Sequence, residues 1–249
     1  MKIIKLDAIN STNEYIKQLL KKKSIKENLA VYTYNQTEGK GQRGKIWSSE
    51  PGKNLAFSIC LFTPNLKLQN QFLINVLVSL FIIEFLEFFK IPNLTVKWPN
   101  DIMSGKKKIC GILNEIKFKR NKIVNIIIGF GININQEKFE NLPNASSLKL
   151  ITQNSFDLNR FSSLLKEKLK KNNFFISKLL NIENLSQEKY IENYNEKLFG
   201  KKNLMSFVLI DGKKIVGKII SVNPDGILNI KIKNGDLISF RNNEIQIII

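Results

Sequence analysis

The chain has 249 residues, of which 43% are hydrophobic, and this is enough for one sizeable core and a small appended module. It contains no histidine, which excludes Ser-His-Asp hydrolysis, Cys-His proteolysis, histidine-ligated zinc and imidazole general-base chemistry. The net charge of +18 comes from lysines spread along the whole chain without a basic helix or nucleic-acid motif, so we expect anionic substrates and acidic protein partners, and no specific DNA binding.

The N-terminal part is predicted to combine strands with one helix. A strand at 2–6 precedes a helix in which Ser11 is the N-cap and Glu14 reaches back, the spacing of a capping box. Strands at 29–35 and 54–62 flank a glycine-rich loop. The apolar run at the N-terminus is too short and too charged for a signal peptide, so we expect a cytoplasmic protein.

The middle of the chain is predicted to hold a long core helix at 70–90, followed by three strands. The helix is expected to be amphipathic and not to span a membrane, because its polar residues fall within about half of a helical wheel. These residues are Asn75, Ser79, Glu84, Glu87 and Lys90. The strands are predicted at 95–98, 109–117 and 124–134. Cys60 and Cys110 have no metal or redox spacing, which favours core thiols in a reducing compartment.

The C-terminal half begins with an irregular connection at 136–157, rich in asparagine and serine. Apolar residues at helical spacing predict a helix around 161–169 and another at 186–198. From Leu204 the pattern alternates, and three Asp-Gly or Asn-Gly turns punctuate it. We therefore predict a catalytic domain at 1–200 and a small β-barrel-like domain at 201–249.

Two segments indicate chemistry on phosphates. Residues 39–47, Gly-Lys-Gly-Gln-Arg-Gly-Lys-Ile-Trp, combine mobile positive charge with three glycines, which let backbone N–H groups enclose an anion. Residues 97–101, Lys-Trp-Pro-Asn-Asp, place a carboxylate at a tight turn shortly before Lys108. A carboxylic acid becomes reactive when it is joined to the α-phosphate of ATP, and such cations and N–H groups stabilise the charge that develops there. We interpret the pair as an adenylylating site.

In the order and spacing of these segments the chain resembles biotin protein ligases. The matching positions are Ser11-Thr-Asn13, Gln36, 39–47, 97–101, Lys108, 111–113, Glu115 and 129–133. The resemblance implies an α+β fold of the class II synthetase type, with a mixed, largely antiparallel sheet and a C-terminal SH3-like β-barrel. It also implies the monofunctional type, because the chain begins at the catalytic domain, without the N-terminal winged helix of the repressor members.

The resemblance further implies that ATP, with Mg²⁺ carried mainly by its phosphates, activates biotin to biotinyl-AMP. The biotinyl group then passes to a lysine of a carrier domain such as that of acetyl-CoA carboxylase; a homodimer stays open. The implied catalytic residues are Lys108, Asp101, Lys40 and Arg43. The implied biotin-binding residues are Ser11, Thr12, Asn13, Gln36, Lys40, Gly41, Gln42, Lys108, Gly111 and Leu113. The implied nucleotide-binding residues are Gly39, Gly41, Arg43, Lys45, Trp47, Asn100, Asp101 and Asn133.

Simpler explanations compete at several positions. Capping alone explains Ser11, core packing explains Trp47, and a strand-end turn explains Asn133. Many relatives have arginine where this chain has Lys40, Gln42 and Lys45, which predicts fewer bidentate phosphate contacts and an intermediate held less tightly. Two other functions stay open, a lipoate or octanoate transferase of related fold and a ligand-sensing nucleic-acid binder.

Overall fold

Strands and helices of an α+β fold follow one another along the chain, as predicted. The computed structural model describes residues 1–62, 67–120, 122–171, 173–182, 185–201 and 203–249. The strands are β1 (Lys2–Lys5), β2 (Leu29–Thr33), β3 (Gly39–Lys40), β4 (Ile46–Trp47), β5 (Leu55–Phe62), β6 (Leu94–Lys97), β7 (Asp101–Ser104), β8 (Lys107–Lys119), β9 (Lys122–Ile132), β10 (Leu204–Leu209), β11 (Lys214–Val222), β12 (Leu228–Ile232), β13 (Leu237–Phe240) and β14 (Ile245–Ile247). The helices are α1 (Thr12–Lys21), α2 (Gln71–Phe88), α3 (Leu148–Thr152), α4 (Leu158–Lys171), α5 (Asn173–Leu180) and α6 (Gln187–Glu196).

A seven-stranded sheet forms the centre, in the order β1-β2-β5-β9-β8-β7-β6. Only the β1–β2 pair is parallel, so the sheet is mixed and largely antiparallel, as the resemblance implied. Strands β2 and β5 are almost fully buried because helices cover both faces of the sheet. Helix α1 packs through Ile16 onto a small apolar cluster on one face, and α2 belongs to the main core.

Helix α2 is confirmed as a core helix, although its polar face is narrower than predicted. By length and apolar composition alone it could cross a membrane, and 67% of its residues are buried inside the molecule. Ser79, expected on the polar face, is fully buried. Glu84 and Glu87 do face outward, where they pair with Lys168 and Lys197. The helix is therefore enclosed on most sides, as expected for a helix that is apolar nearly all round.

The capping box at the start of α1 forms only in part. The Ser11 hydroxyl accepts a hydrogen bond from the Glu14 amide, as predicted. The prediction that Glu14 reaches back was wrong, because its carboxylate pairs with lysines and the Ser11 N–H donates to Asn10 Oδ1 at 2.7 Å instead. The side chain of Glu14 is therefore available to hold other elements.

Apart from β3 and β4, which lie in the segment predicted as a loop, three elements escaped prediction. Strand β7 follows the turn at 98–100 so closely that its sequence reads as part of that turn. Helix α3, whose N-cap Ser147 accepts from the Leu150 amide, lies inside the connection that was wrongly expected to be irregular throughout. Helix α5 is short, and tertiary contact with α2 and α4 supports it.

The C-terminal module is a five-stranded antiparallel sheet in the order β13-β12-β11-β10-β14, consistent with the SH3-like domain that the resemblance implied. Leu228 and Ile230 point into its core as the alternation predicted, but Asn229 is buried too and bonds to Ser221, Asn223 and Ser239. We propose the domain boundary near residue 200, between α6 and β10. The module docks on the larger domain, where Trp98 Nε1 donates to the Gly226 carbonyl at 3.1 Å.

Candidate functional site

Two rows of small residues across the central sheet form the floor of the site. Strand register aligns Ser58 with Gly129 and Leu113, and Ala56 with Gly131 and Gly111. The floor has no space for larger side chains. A methyl group at Gly129 would lie 2.3 Å from Asn13 Oδ1, and one at Gly131 would lie 2.5 Å from the indole of Trp47. These glycines therefore let side chains from other elements lie directly on the sheet.

A polar cluster covers one end of this floor, at the start of α1. Gln36 Oε1 accepts from the Thr12 amide at 2.9 Å and from the Thr12 hydroxyl at 3.2 Å. The Ser58 hydroxyl lies 2.7 Å from Thr12 Oγ1 and 2.6 Å from Asn13 Oδ1. The Asn13 amide group donates to Glu115 Oε2 at 2.8 Å. Each of these groups is fixed by another, so the cluster presents hydrogen-bonding atoms in set directions.

The glycine-rich loop is a short hairpin, β3–β4, with a tight turn at Gln42–Gly44 in which Arg43 has a left-handed backbone, φ 57°. Gly39 begins β3 and packs directly against β4, since a methyl group there would meet the Trp47 carbonyl at 2.4 Å. At the tip, the Arg43 guanidinium donates to the carbonyl of Asn242, in the turn between β13 and β14. Asn242 Nδ2 also lies 3.4 Å from Gln42 Oε1. The C-terminal module therefore holds the tip of the loop.

An ion pair between Lys108 and Asp101, 2.6 Å long, stands where the loop meets the β7–β8 hairpin. The Lys108 ammonium also lies 5.3 Å above the Trp47 ring, within range of a cation–π contact. Lys97 lies opposite Asp101 in the register of β6 and β7. Burial lowers the pKa of Lys97, and the carboxylate of Asp101 offsets only part of this effect. The ammonium groups of Lys108 and Lys97 thus lie near one carboxylate.

Two adjoining cavities occupy the site. The smaller, about 60 Å³, lies between α1, the loop and the glycine floor. The larger, about 460 Å³, lies between the loop, the β6–β8 hairpins, residues 139–145 and the C-terminal module. Both are lined by Gly41, Gln42, Trp47, Asn100 and Lys108. The loop and Lys108 therefore meet in a shared space, as an adenylylating site requires.

Most of the residues expected at the site line one cavity or the other. The smaller cavity has Ser11, Thr12, Asn13, Gln36, Lys40, Gly41, Gln42, Lys108, Gly111 and Leu113 in its walls. The larger has Gly41, Arg43, Lys45, Trp47, Asn100, Asp101, Lys108 and Asn133 in its walls. Gly39 lines neither, and the Lys40 ammonium points to Glu14, 3.1 Å away, and not to the larger cavity. Asn100 Nδ2 donates to the Ile112 carbonyl, so this side chain also links two strands.

The sequence reasoning missed several contributors. Ser58 belongs to a buried strand, where a serine reads as an ordinary core position; only the register with Gly129 brings it to the cluster. Lys97 was read as part of a motif and was not expected as a site residue. From the C-terminal module, Asn242 and residues 245–247 line the larger cavity, and no local pattern distinguishes them.

Comparisons with known proteins show what this chain is similar to. The model of the biotin/lipoate A/B protein ligase family matches residues 6–133. The bifunctional ligase/repressor BirA of Bacillus spizizenii is 31% identical over 135 residues, which are 54% of this chain and 41% of BirA. The biotin–[acetyl-CoA-carboxylase] ligase of Mycobacterium tuberculosis is 24% identical over 146 residues, 57% of this chain and 53% of that protein. The chain thus spans about half, or less, of these curated relatives.

A solved structure matches over nearly its whole length. The biotin protein ligase of Aquifex aeolicus, in complex with biotin and ATP, has a TM-score of 0.76 and 26% sequence identity to this chain. The match covers 99% of this chain and 98% of the other, so it includes the C-terminal module.

Proposed function

Because the chain belongs to the biotin/lipoate A/B protein ligase family, we propose that it is an ATP-dependent biotin protein ligase. The observation that carries the proposal is the pair of adjoining cavities that share Lys108 and Trp47. The smaller cavity, with its hydroxyl and amide groups, suits the ureido ring, which offers one carbonyl acceptor and two N–H donors. The larger cavity, with its cations and the aromatic face of Trp47, suits ATP.

In the first step, an oxygen of the biotin carboxylate attacks the α-phosphorus of ATP, the bond to the bridging oxygen breaks, and pyrophosphate leaves. Negative charge accumulates on the phosphate oxygens between the two cavities. We assign its stabilisation to Lys108, with Arg43, Lys45 and loop N–H groups contributing. Asp101 positions the Lys108 ammonium by the 2.6 Å ion pair.

In the second step, the neutral amine of a carrier lysine attacks the acyl carbon, the bond to AMP breaks, and the amine loses a proton. We propose the biotin carrier domain of acetyl-CoA carboxylase as the partner, since the Mycobacterium tuberculosis relative is named for that carboxylase. The net charge of +18 favours an acidic partner. We also propose that the reaction takes place in the cytoplasm and involves neither a membrane nor specific DNA binding. Whether the protein forms a homodimer can be measured by gel filtration.

We propose that Mg²⁺ is carried by the ATP phosphates. Within the described ranges, no group of three or more acidic, cysteine or histidine side chains is arranged to hold a metal ion. Asp101 is the one acidic side chain among the described residues that line the larger cavity, and Lys108 already pairs with it. This donor set fits an ion that is held by phosphate oxygens, and Asp101 would add a ligand only where a phosphate takes its place on Lys108.

Exchange of labelled pyrophosphate into ATP tests the first step. We expect exchange that depends on biotin and not on lipoate or octanoate. Exchange stimulated by lipoate would favour the lipoate-ligase alternative, and a folded sample that exchanges with none of the three acids would refute the proposal. Mass spectrometry of a carrier domain incubated with the protein, ATP and biotin tests the second step, by the mass of one biotinyl group on its lysine.

A further inference from the structure

A chain of alternating charges links the two walls of the smaller cavity. The Asn13 amide donates to Glu115 at 2.8 Å, and Glu115 pairs with Lys17 at 2.6 Å. Lys17 in turn pairs with Glu14 at 2.7 Å, and Glu14 pairs with Lys40 of the glycine-rich loop at 3.1 Å. The three middle members are not in the lining of either cavity.

Local sequence explains only one of the three ion pairs in this chain. Glu14 and Lys17 are three residues apart on α1, where such pairs form readily. The other two ion pairs join different elements: Lys17 reaches β8, and Glu14 reaches the loop. The carboxylates are partly buried, with 25% of the Glu14 side chain and 30% of the Glu115 side chain exposed. Networks that are partly withdrawn from water hold geometry better than isolated surface pairs.

The chain also fixes which way the Asn13 amide faces. A carboxylate can only accept hydrogen bonds, so Glu115 must face Asn13 Nδ2. Asn13 Oδ1 is thereby turned toward Ser58 and over Gly129, on the floor of the smaller cavity. The cavity then presents a carbonyl oxygen, the group that accepts from an N–H of a ligand.

We propose that Glu115, Lys17 and Glu14 are positioning residues that couple the two walls of the cavity. At one end they turn the Asn13 carbonyl toward the ligand's head group, and at the other they hold Lys40, and with it the glycine-rich loop, against α1. Binding of the head group and closure of the loop are therefore linked. The inference rests on the proposed function, because the head group is taken to be that of biotin.

Calorimetric titration with biotin tests the coupling. For Glu115→Gln, which removes the charge and leaves the long 3.4 Å bond to the Leu113 carbonyl as the contact that still requires Asn13 Nδ2 on this side, we expect the Kd for biotin to rise about tenfold, the scale of a hydrogen bond to a charged group. For Glu14→Gln we expect the Kd for biotin to rise about threefold, the scale of a partly exposed ion pair. In the double variant the increase in Kd should be clearly smaller than the product of the two single increases, which is about thirtyfold, because both substitutions break the same chain. The turnover of pyrophosphate exchange at saturating biotin should stay within about twofold, so that the loss appears in KM.

Glu87→Gln is the matched control, since the Glu87–Lys197 pair is similar in length, 2.8 Å, and is not in the lining of either cavity. Its Kd for biotin should equal that of the wild type. Equal effects in all three single variants, or a double variant that reaches the full product, would overturn the coupling. If Glu115→Gln does not fold, Lys17→Met takes its place, and Lys17→Arg should restore the wild-type Kd.

A measurement without ligand separates this inference from the proposed function. Limited digestion with trypsin cuts after Lys40, Arg43 and Lys45 when the loop opens, and mass spectrometry counts those cuts. We expect loop cleavage several-fold faster in Glu14→Gln than in the wild type or Glu87→Gln. A wild type that binds no biotin would refute the proposed function, whereas unchanged cleavage and unchanged Kd in the variants would refute the coupling alone.

Discussion

The two cavities differ in how their walls are held. Around the smaller one, side chains on α1 and the central sheet bind one another, so that Thr12, Asn13, Gln36 and Ser58 are fixed before any ligand arrives. Around the larger one, the walls come from a loop, two hairpins and the C-terminal module, and Lys108 and Arg43 have partners that a phosphate can replace. We therefore propose that the smaller cavity selects the acid and that the larger stabilises the charge that forms during the reaction.

Removal of the Lys108 ammonium should impair the function proposed for the larger cavity more than any other substitution. We expect Lys108→Ala to lower the turnover of biotin-dependent pyrophosphate exchange by about 100- to 1000-fold, as loss of a preorganised charge-stabilising donor does. Lys106→Ala is the control, because Lys106 is exposed in the adjacent turn and lines neither cavity. A loss below about threefold would show that the charge is stabilised elsewhere.

Adding a methyl group at either of two floor glycines should distinguish the role of the smaller cavity from that of the larger. In Gly129→Ala the new carbon meets Asn13 Oδ1 at 2.3 Å, so we expect the Kd for biotin, measured by calorimetry without ATP, to rise about tenfold or more. In Gly131→Ala the new carbon meets the indole of Trp47, which lines both cavities, so the KM for ATP should rise as well. Identical profiles for the two variants would contradict the division of roles.

The link between the loop and the C-terminal module should matter to the nucleotide and not to biotin. We expect Arg43→Met to raise the KM for ATP about tenfold, because it removes both the contact to Asn242 and a charge-assisted phosphate donor, while the Kd for biotin stays unchanged. Arg160→Met removes the same charge from an exposed position on α4 and should change neither constant. Biotin binding weakened as much as ATP binding in Arg43→Met would contradict this division of roles.

Substitution of Lys97 should have the smallest effect, and this effect should be on the free energy of unfolding. Burial holds its pKa below the ordinary 10.5, so at pH 7 the folded protein carries an ammonium that is poorly hydrated. We expect Lys97→Met to increase the free energy of unfolding by about 1 kcal/mol at pH 7, the scale of one optimised site, while ATP binds less tightly.

The sign of the pH dependence follows from the direction of that shift. Between the lowered pKa and 10.5 the unfolded chain binds more protons at this group than the folded chain does, so the wild type gains stability as the pH rises through this window. The advantage of Lys97→Met should therefore shrink as the pH approaches 10.5. Thermal unfolding between pH 7 and 10 measures this advantage, and Lys106→Met is the control at an exposed position. If the difference in stability between Lys97→Met and the wild type stays constant with pH, the expected pH dependence is contradicted.

Periodicity and turn signals predicted most of the fold because they report local geometry. The apolar run of α2, the cap at Ser11 and the alternation of the C-terminal strands were readable for that reason. Glu14 shows the limit of such reasoning. Its position fits a capping box, yet its carboxylate binds lysines that only the folded chain brings near it. Local rules describe what a side chain can do, and tertiary contacts decide which option is used.

For the site, the sequence by itself determined the kinds of groups available: glycines that let backbones approach, lysines and an arginine for phosphate, and no histidine. Only the tertiary structure decided which of them meet. Strand register brings Ser58 under Asn13, the docked C-terminal module closes the larger cavity, and ion pairs turn Lys40 toward α1. The reason is physical, because spacing along the chain fixes which face a residue occupies, whereas partners across elements depend on how those faces pack.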